Sequence, residues 1–363
     1  MGKTLRHGYT TGACAAAAAR GAALMLREQC ILSEVEMTLP SGDSVTFSLH
    51  GQRLDDRGAA CYVVKDAGDD PDVTNGAEIH ARIDVTFFTE HRIALQGGEG
   101  IGRVTKPGLA VTVGEWAINP VPRRMILEGV KEILAMRCMP AAFTITISIP
   151  DGLERARRTL NERLGIVGGL SILGTTGIVR PISAQAWTDT IDTALDVARA
   201  SGCNAVILST GRTSEEVAQR FFNNPTTAGP GGMKEECFIL MGDFVAHALR
   251  SAVSRDAGRI IVAGQFAKMV KIATGHEVTH AAAADLELKE LAEWCAAEPE
   301  GERLLPHLSG ANTARDVLQR SGYDPVLMEL VCRRVRSVVE NYASGRRVEV
   351  LLAGYQGEVL YFA

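Results

Sequence analysis

The chain is 363 residues long, which at about 150 residues per domain is enough for two domains. Hydrophobic residues make up 46% and charged ones 22%, with 37 glycines, a composition that excludes disorder, collagen and coiled coil and favours sites lined by backbone. The formal net charge of -5 leaves no global positive field for a polyanion, so nucleic acid is not an expected partner.

Lys3 and Arg6 precede an alanine run from Ala13 to Ala19 that superficially resembles a signal peptide. The run is short, and Gly8-Tyr9-Thr10-Thr11-Gly12 before it reads as a turn with a helix cap, so Ala13 to Arg27 is predicted as the first helix. No other stretch approaches the length of a membrane span, and a cytoplasmic protein is expected. The eight cysteines include no C-x-x-C and read as buried thiols in a reducing compartment.

Strands are predicted at Glu34 to Leu39 and Ser44 to Leu49 around a Pro40-Ser41-Gly42-Asp43 turn, then at Ala60 to Val64, Ile79 to Phe88 and Arg92 to Gln96. A second helix follows at Arg124 to Met136, a strand at Phe143 to Ile149, and a charged helix at Leu153 to Leu164. Pro150 suggests a boundary, giving an α+β domain over 1–150 and a second domain over 151–363. After a helix from Ala184 to Ala200, three apolar runs each end at glycine: Ala205 to Gly211, Phe238 to Gly242 and Ile260 to Gly264. Such runs alternating with helices require a mostly parallel sheet covered on both faces, and ligands bind such sheets beyond the carboxyl ends of their strands. The second domain is therefore α/β, and the three glycines line a candidate site. Helices at Asp285 to Ala297, Thr313 to Arg320 and Pro325 to Tyr342 precede a closing hairpin of Val348 to Leu352 and Glu358 to Phe362.

Several segments could carry chemistry. His276-Glu277-Val278-Thr279-His280 satisfies H-E-x-x-H, the zinc-hydrolase pattern, but Gly275 beside it reads as a helix stop, so no protein-bound metal is expected. Gly97 to Gly102 follows a strand as a nucleotide loop would; Arg103 to Gly108 breaks any helix after it, leaving an anion-binding nest of Gly98 and Gly100 with Arg103 and Lys106. Asp66, Asp69, Asp70 and Asp72 crowd one loop, where carboxylates raise one another's pKa and suit proton transfer or cation recognition. Gly168, Gly169, Ser171, Gly174, Thr175, Thr176 and Gly177 offer backbone and hydroxyl donors for a compact ligand. Lys268 and Lys271 share a helical face and could meet anionic groups, while Asn119 to Arg124 is either a helix lead-in or a carboxylate clamp.

Taken in order, GYTTG at 8 to 12, KDAGDDPDVTNG at 65 to 76, GGEGIGRVTKPGL at 97 to 109, AINPVPRRMI at 117 to 126, GGLSILGTTGIVRP at 168 to 181 and GQFAKMVKIATG at 264 to 275 resemble the cobalt-precorrin-5B C(1)-methyltransferase family of anaerobic cobalamin biosynthesis. The resemblance implies transfer of a methyl group from S-adenosylmethionine, as co-substrate, to C(1) of a cobalt tetrapyrrole, giving cobalt-precorrin-6A. It also implies hand-over with other enzymes of that pathway and leaves a homo-oligomer open. On this reading the acid or base is Asp66, Asp69, Asp70 or His280, and the segment 168–177 holds the cofactor. Thr10, Thr11, Gly98, Gly100, Arg103, Lys106, Asn119, Arg123, Arg180, Lys268 and Lys271 then hold the substrate. The alternatives are a tetrapyrrole carrier without catalysis and a zinc hydrolase at His276 and His280.

Overall fold

A computed structural model describes residues 5–87, 92–134, 141–224, 232–280 and 288–363. Phe88, Met136, Asp285 and Cys138 lie outside the described residues. The chain divides into two compact units, Met1–Ser183 and Ala184–Ala363.

The first unit is α+β. Its strands are β1 (Gly8–Tyr9), β2 (Glu34–Thr38), β3 (Ser44–Ser48), β4 (His50–Asp55), β5 (Gly58–Val64), β6 (Glu78–Phe87), β7 (Arg92–Gly97), β8 (Arg103–Val104), β9 (Ala141–Ser148), β10 (Ile166–Val167) and β11 (Ile178–Val179). Five form one sheet in the order β4-β5-β6-β9-β7, antiparallel except for the β9–β7 pair. Helix α1 (Thr11–Glu28) packs on β5 and β6 and against α2 (Pro120–Leu134). Its alanines, all buried, let the helix lie close to the sheet, where Ala59, Cys61, Ile79 and Ile83 alternate inward. Gly21 leaves room at one contact, since a Cβ there would stand 2.6 Å from Leu49 Cδ1 and the leucine would have to move.

The charged segment 153–164 is a helix only over α3 (Gly152–Ala156). Thr159 explains the stop: its hydroxyl donates to the Ala156 carbonyl and accepts the Asn161 N–H, offering the backbone an alternative to helical bonds. The division into units falls after Ser183, whereas the sequence placed it at 150. Residues 151–183 are stitched to the first unit by the β8–β10 and β1–β11 ladders and by bridges from Ile101 to Leu170 and Ile118 to Ile172.

The second unit is α/β. Strands β12 (Ala205–Ser209), β13 (Phe238–Leu240), β14 (Arg259–Gln265) and β15 (Val348–Ala353) are parallel, and β16 (Val359–Phe362) closes the edge antiparallel, in the order β13-β12-β14-β15-β16. Helices α4 (Ala184–Ala200), α6 (Val245–Ser254), α7 (Phe266–Ala273) and α11 (Pro325–Tyr342) pack on the face that carries Val206, Leu208, Val262 and Val350. Helix α5 (Arg212–Asn223) covers Ile207, Ile261 and Leu351 on the other face. Shorter helices α8 (Leu288–Ala296), α9 (Leu305–Leu308) and α10 (Ala314–Arg320) complete the first layer. No helix among the described residues is long and apolar enough to cross a membrane. Cys14, Cys61, Cys237, Cys295 and Cys332 are buried as expected, but Cys30 is exposed and Cys203 half-buried.

Candidate functional site

Four segments distant in sequence meet at the N-terminus of α1. Thr10 caps the helix, its side chain accepting the Ala13 N–H at 3.1 Å, and its own N–H donates to the Gly177 carbonyl. The N–H of Gly12 and the hydroxyl of Thr11 both donate to the Leu173 carbonyl. The Tyr9 N–H reaches the Asp66 carbonyl, which ties the acidic loop to the same point. A Cβ at Gly12 would sit 2.7 Å from Pro122 Cγ, so α1 and α2 begin side by side. Asn119, just before α2, donates its N–H to Ile172 and accepts that of Arg123.

Among the residues singled out from the sequence, this brings together Thr10, Thr11, Asp66, Asn119, Arg123, Ser171, Gly174 and Gly177. Gly174 has φ +131, and a Cβ there would stand 2.3 Å from Thr10 Oγ1, so only glycine lets this loop close over the cap. Thr175, Thr176 and Arg180 are exposed. The Arg123 guanidinium, 3.4 Å from Glu115, also lines a cavity of about 780 Å³ with the apolar Ile93, Leu127 and Phe143.

The acidic loop does not behave as crowded carboxylates would. Asp66 forms a two-pronged ion pair with Arg6, one contact at 2.8 Å, and this hydrogen bonding holds its carboxyl below the usual range. Asp69 accepts the Arg6 N–H at 2.7 Å, and Asp70 accepts the Ile182 N–H at 2.9 Å. Burial works to raise Asp72, yet Lys65 at 2.5 Å and the Thr74 hydroxyl and N–H outweigh it, leaving that carboxyl lowered too. The expected upward shift is thus reversed at Asp66 and Asp72, because each carboxylate faces its own donor instead of its neighbour. Lys65 is buried to 2% exposure beneath the loop.

The glycines at 98 to 102 mark a crossing of backbones. A Cβ at Gly100, where φ is +71, would lie 1.9 Å from the Ile149 carbonyl oxygen, and one at Gly169 would lie 2.2 Å from that of Gly100. The N–H groups of Gly98 and Gly102 donate to Ile147 and Leu170. Arg103 stacks on Trp116 at 3.8 Å and donates to the Gly114 carbonyl, while Lys106 donates to that of Arg163. Protein carbonyls therefore take the Gly98 N–H, one Arg103 donor and the Lys106 amine, three of the groups that the sequence offered to an anion. Gly168, by contrast, is exposed with no atom within 4 Å of an added Cβ.

In the second unit the parallel strands carry Ser209, Met241 and Gly264 to one edge. Asp243, two residues past Met241, accepts the Lys268 amine and, at 2.8 Å, the Thr279 hydroxyl on the same oxygen, Oδ1. Burial acts to raise this carboxyl, but those two hydrogen bonds and the Lys268 charge hold it lowered. Lys268 also donates to the Thr279 carbonyl at 3.2 Å, so it is anchored within the fold; Lys271 is half-buried and His280 exposed. Helix α7 ends at Ala273, Gly275 has φ +88, and residues 276 to 280 are not helical. His276 and His280 are consequently not one helical turn apart, and Glu277 is paired with Arg250 at 2.5 Å. Sequence reasoning missed Arg6, Lys65 and Asp243. The last had a signal, an acid directly after a strand-glycine unit.

Two family models match the chain: one described as CbiD over residues 1–181 and one as the CbiD C-terminal domain over residues 278–363. A cobalt-precorrin-5B C(1)-methyltransferase of Citrifermentans bemidjiense is 57% identical over 361 residues, covering 99% of each chain. The protein of that name from Geobacter sulfurreducens is 57% identical with the same coverage, and that from Geobacillus kaustophilus is 42% identical over 91% of this chain and 88% of its own. A crystal structure of a cobalamin biosynthesis protein from Archaeoglobus fulgidus, 27% identical, aligns over 72% of this chain and 77% of that one with a TM-score of 0.40.

Proposed function

From its place in the CbiD family, to which the chain belongs over both units, we infer a methyltransferase of cobalamin biosynthesis that acts on C(1) of cobalt-precorrin-5B and gives cobalt-precorrin-6A. The observation that carries this is identity of 57% to relatives of that name along their full length. S-adenosylmethionine is the methyl donor.

A methyl sulfonium is already a strong electrophile, so the protein needs no covalent nucleophile; it aligns sulfur, methyl and ring carbon and keeps water out. The macrocycle presents an apolar ring fringed with carboxylates, which asks for apolar walls beside fixed cations. Arg123 stands at such a wall, with Ile93, Leu127 and Phe143, and Arg180 lies exposed at the end of the 168–180 segment. The exposed Thr175 hydroxyl adds a neutral donor in the same segment, while that of Thr176 donates to the Ile178 carbonyl. Asp66, paired with Arg6, and Asp69 and Asp70, each accepting a backbone N–H, position this loop cluster; His280 is the candidate for moving a proton.

The test is incubation of the purified protein with S-adenosylmethionine and enzymatically generated cobalt-precorrin-5B. A tetrapyrrole heavier by one methylene unit, with matching S-adenosylhomocysteine, is expected. Tight binding of the tetrapyrrole without any mass gain would instead identify a carrier.

A further inference from the structure

The second unit has features of a nucleoside site that its glycine runs only hinted at. Numbered within the unit, its strands lie in the order 2-1-3-4-5, so the order reverses between β12 and β14. Open sheets of this kind bind ligands in the crevice at the carboxyl end of that switch point, and the dinucleotide-binding folds among open α/β sheets add a glycine turn after the first strand and an acid farther along that meets the ribose. Both parts are present. Gly211 opens α5 directly after β12, and a Cβ there would meet nothing within 4 Å; Asp243 follows β13.

Three further observations point to a ligand. Ser209, the last residue of β12, is fully buried, and its hydroxyl has no hydrogen-bond partner among the described residues. It shares the α5 face with Ile207, at the carboxyl end of the strand, and a buried orphan hydroxyl of this kind needs an explanation. Asp243 receives both its donors on Oδ1, so Oδ2 accepts no hydrogen bond from the described residues while the carboxylate is held rigid. Beside it, Gly242 has φ +58, and the nearest atom to a Cβ there is Trp187 Cζ3, at 4.0 Å. The Trp187 ring is large, apolar and 47% exposed next to that open loop.

We propose that the second unit holds the adenosine part of the methyl donor, with Asp243 Oδ2 accepting the ribose hydroxyls, Trp187 stacking on the adenine, and the Ser209 to Gly211 turn closing the crevice. This rests on S-adenosylmethionine being the donor, and it moves the nucleoside away from the segment 168–177. An acid after the second strand suits ribose, which presents paired hydroxyl donors, and an exposed indole suits a flat heteroaromatic ring.

The probe is S-adenosylhomocysteine, titrated calorimetrically into the full chain with its tetrapyrrole present. Trp187→Ala should weaken binding about tenfold, the loss of one base-stacking contact, and Asp243→Asn comparably. Because Asp243 also anchors Lys268 and Thr279, the unmutated protein is tested in parallel with a photoreactive 8-azidoadenosyl analogue. Label in the peptides carrying Trp187 or 241–245 supports the proposal. Label confined to 168–177, with Trp187→Ala binding as tightly as the parent, overturns it and leaves the methyl-donor reading intact. No binding of the probe to the parent protein overturns both.

Discussion

Replacing Lys65 by methionine keeps the length of a side chain buried to 2% exposure but removes the ammonium that sits 2.5 Å from Asp72 Oδ2. Breaking a buried pair from one side costs about 3–5 kcal/mol, because the other charge is left without its partner. Asp72 retains the Thr74 N–H and hydroxyl, and its side chain is 23% exposed, which places the loss at the lower end, about 3 kcal/mol. For a unit of this size each kcal/mol lowers Tm by about 2–4 °C, so the transition of the first unit should fall by about 6–12 °C. The double variant Lys65→Met/Asp72→Asn should recover part of that, with a coupling of about 2 kcal/mol. The sign with pH follows from the lowered Asp72 carboxyl: its stabilisation is present above the ordinary value of about 3.9 and lost as pH falls through the folded value. Calorimetry at about pH 7 and about pH 3 should therefore show the gap between parent and Lys65→Met narrowing in acid. A variant that melts within about 2 °C of the parent, or a gap unchanged by acid, would refute the reasoning.

At Gly174, alanine would need φ +131 and would place its Cβ on the Thr10 hydroxyl, so Gly174→Ala should cost about 2 kcal/mol or more and lower activity; urea unfolding that matches the parent would contradict this. Asp66 stays ionised through its Arg6 pair, so Asp66→Asn should lower kcat/KM without moving the acid limb of the pH profile, and a displaced limb would return Asp66 to the proton-transfer role. Glu277 serves Arg250 at the exposed surface, so Glu277→Gln should leave both the melting transition and turnover little changed. Activity lost to a chelator and restored by zinc would contradict that reading and revive the metal alternative.

Where local chemistry decides an element, the sequence was readable. Helix α4 runs from Ala184 to Ala200 as predicted, and α11 from Pro325 to Tyr342, with Asp324 capping it and proline in its first turn. The three strand-glycine units proved to be adjacent parallel strands, since continuous apolar runs have few other uses. Strand β4 was missed because His50-Gly51-Gln52-Arg53 lacks any strand former; pairing with β5 across a register shift creates it. The hydroxyl and glycine segments of the site were visible as motifs, but their roles were not. Gly98 and Gly100 look the same in sequence whether they cradle an anion or let two backbones cross, and only the approach of Ile149 and Gly169 decides. The acidic loop failed for a related reason: the cation that lowers Asp66 is Arg6, far upstream, and no local pattern announces it.

The most direct test of the function is where the transferred carbon ends up. Cobalt-precorrin-5B labelled with ¹³C at C(1), incubated with the protein and S-adenosylmethionine carrying a ¹³C methyl, should give a product whose NMR spectrum shows a one-bond coupling between the new methyl and C(1). A methyl signal without that coupling, or none while the donor remains intact, would contradict methylation at C(1).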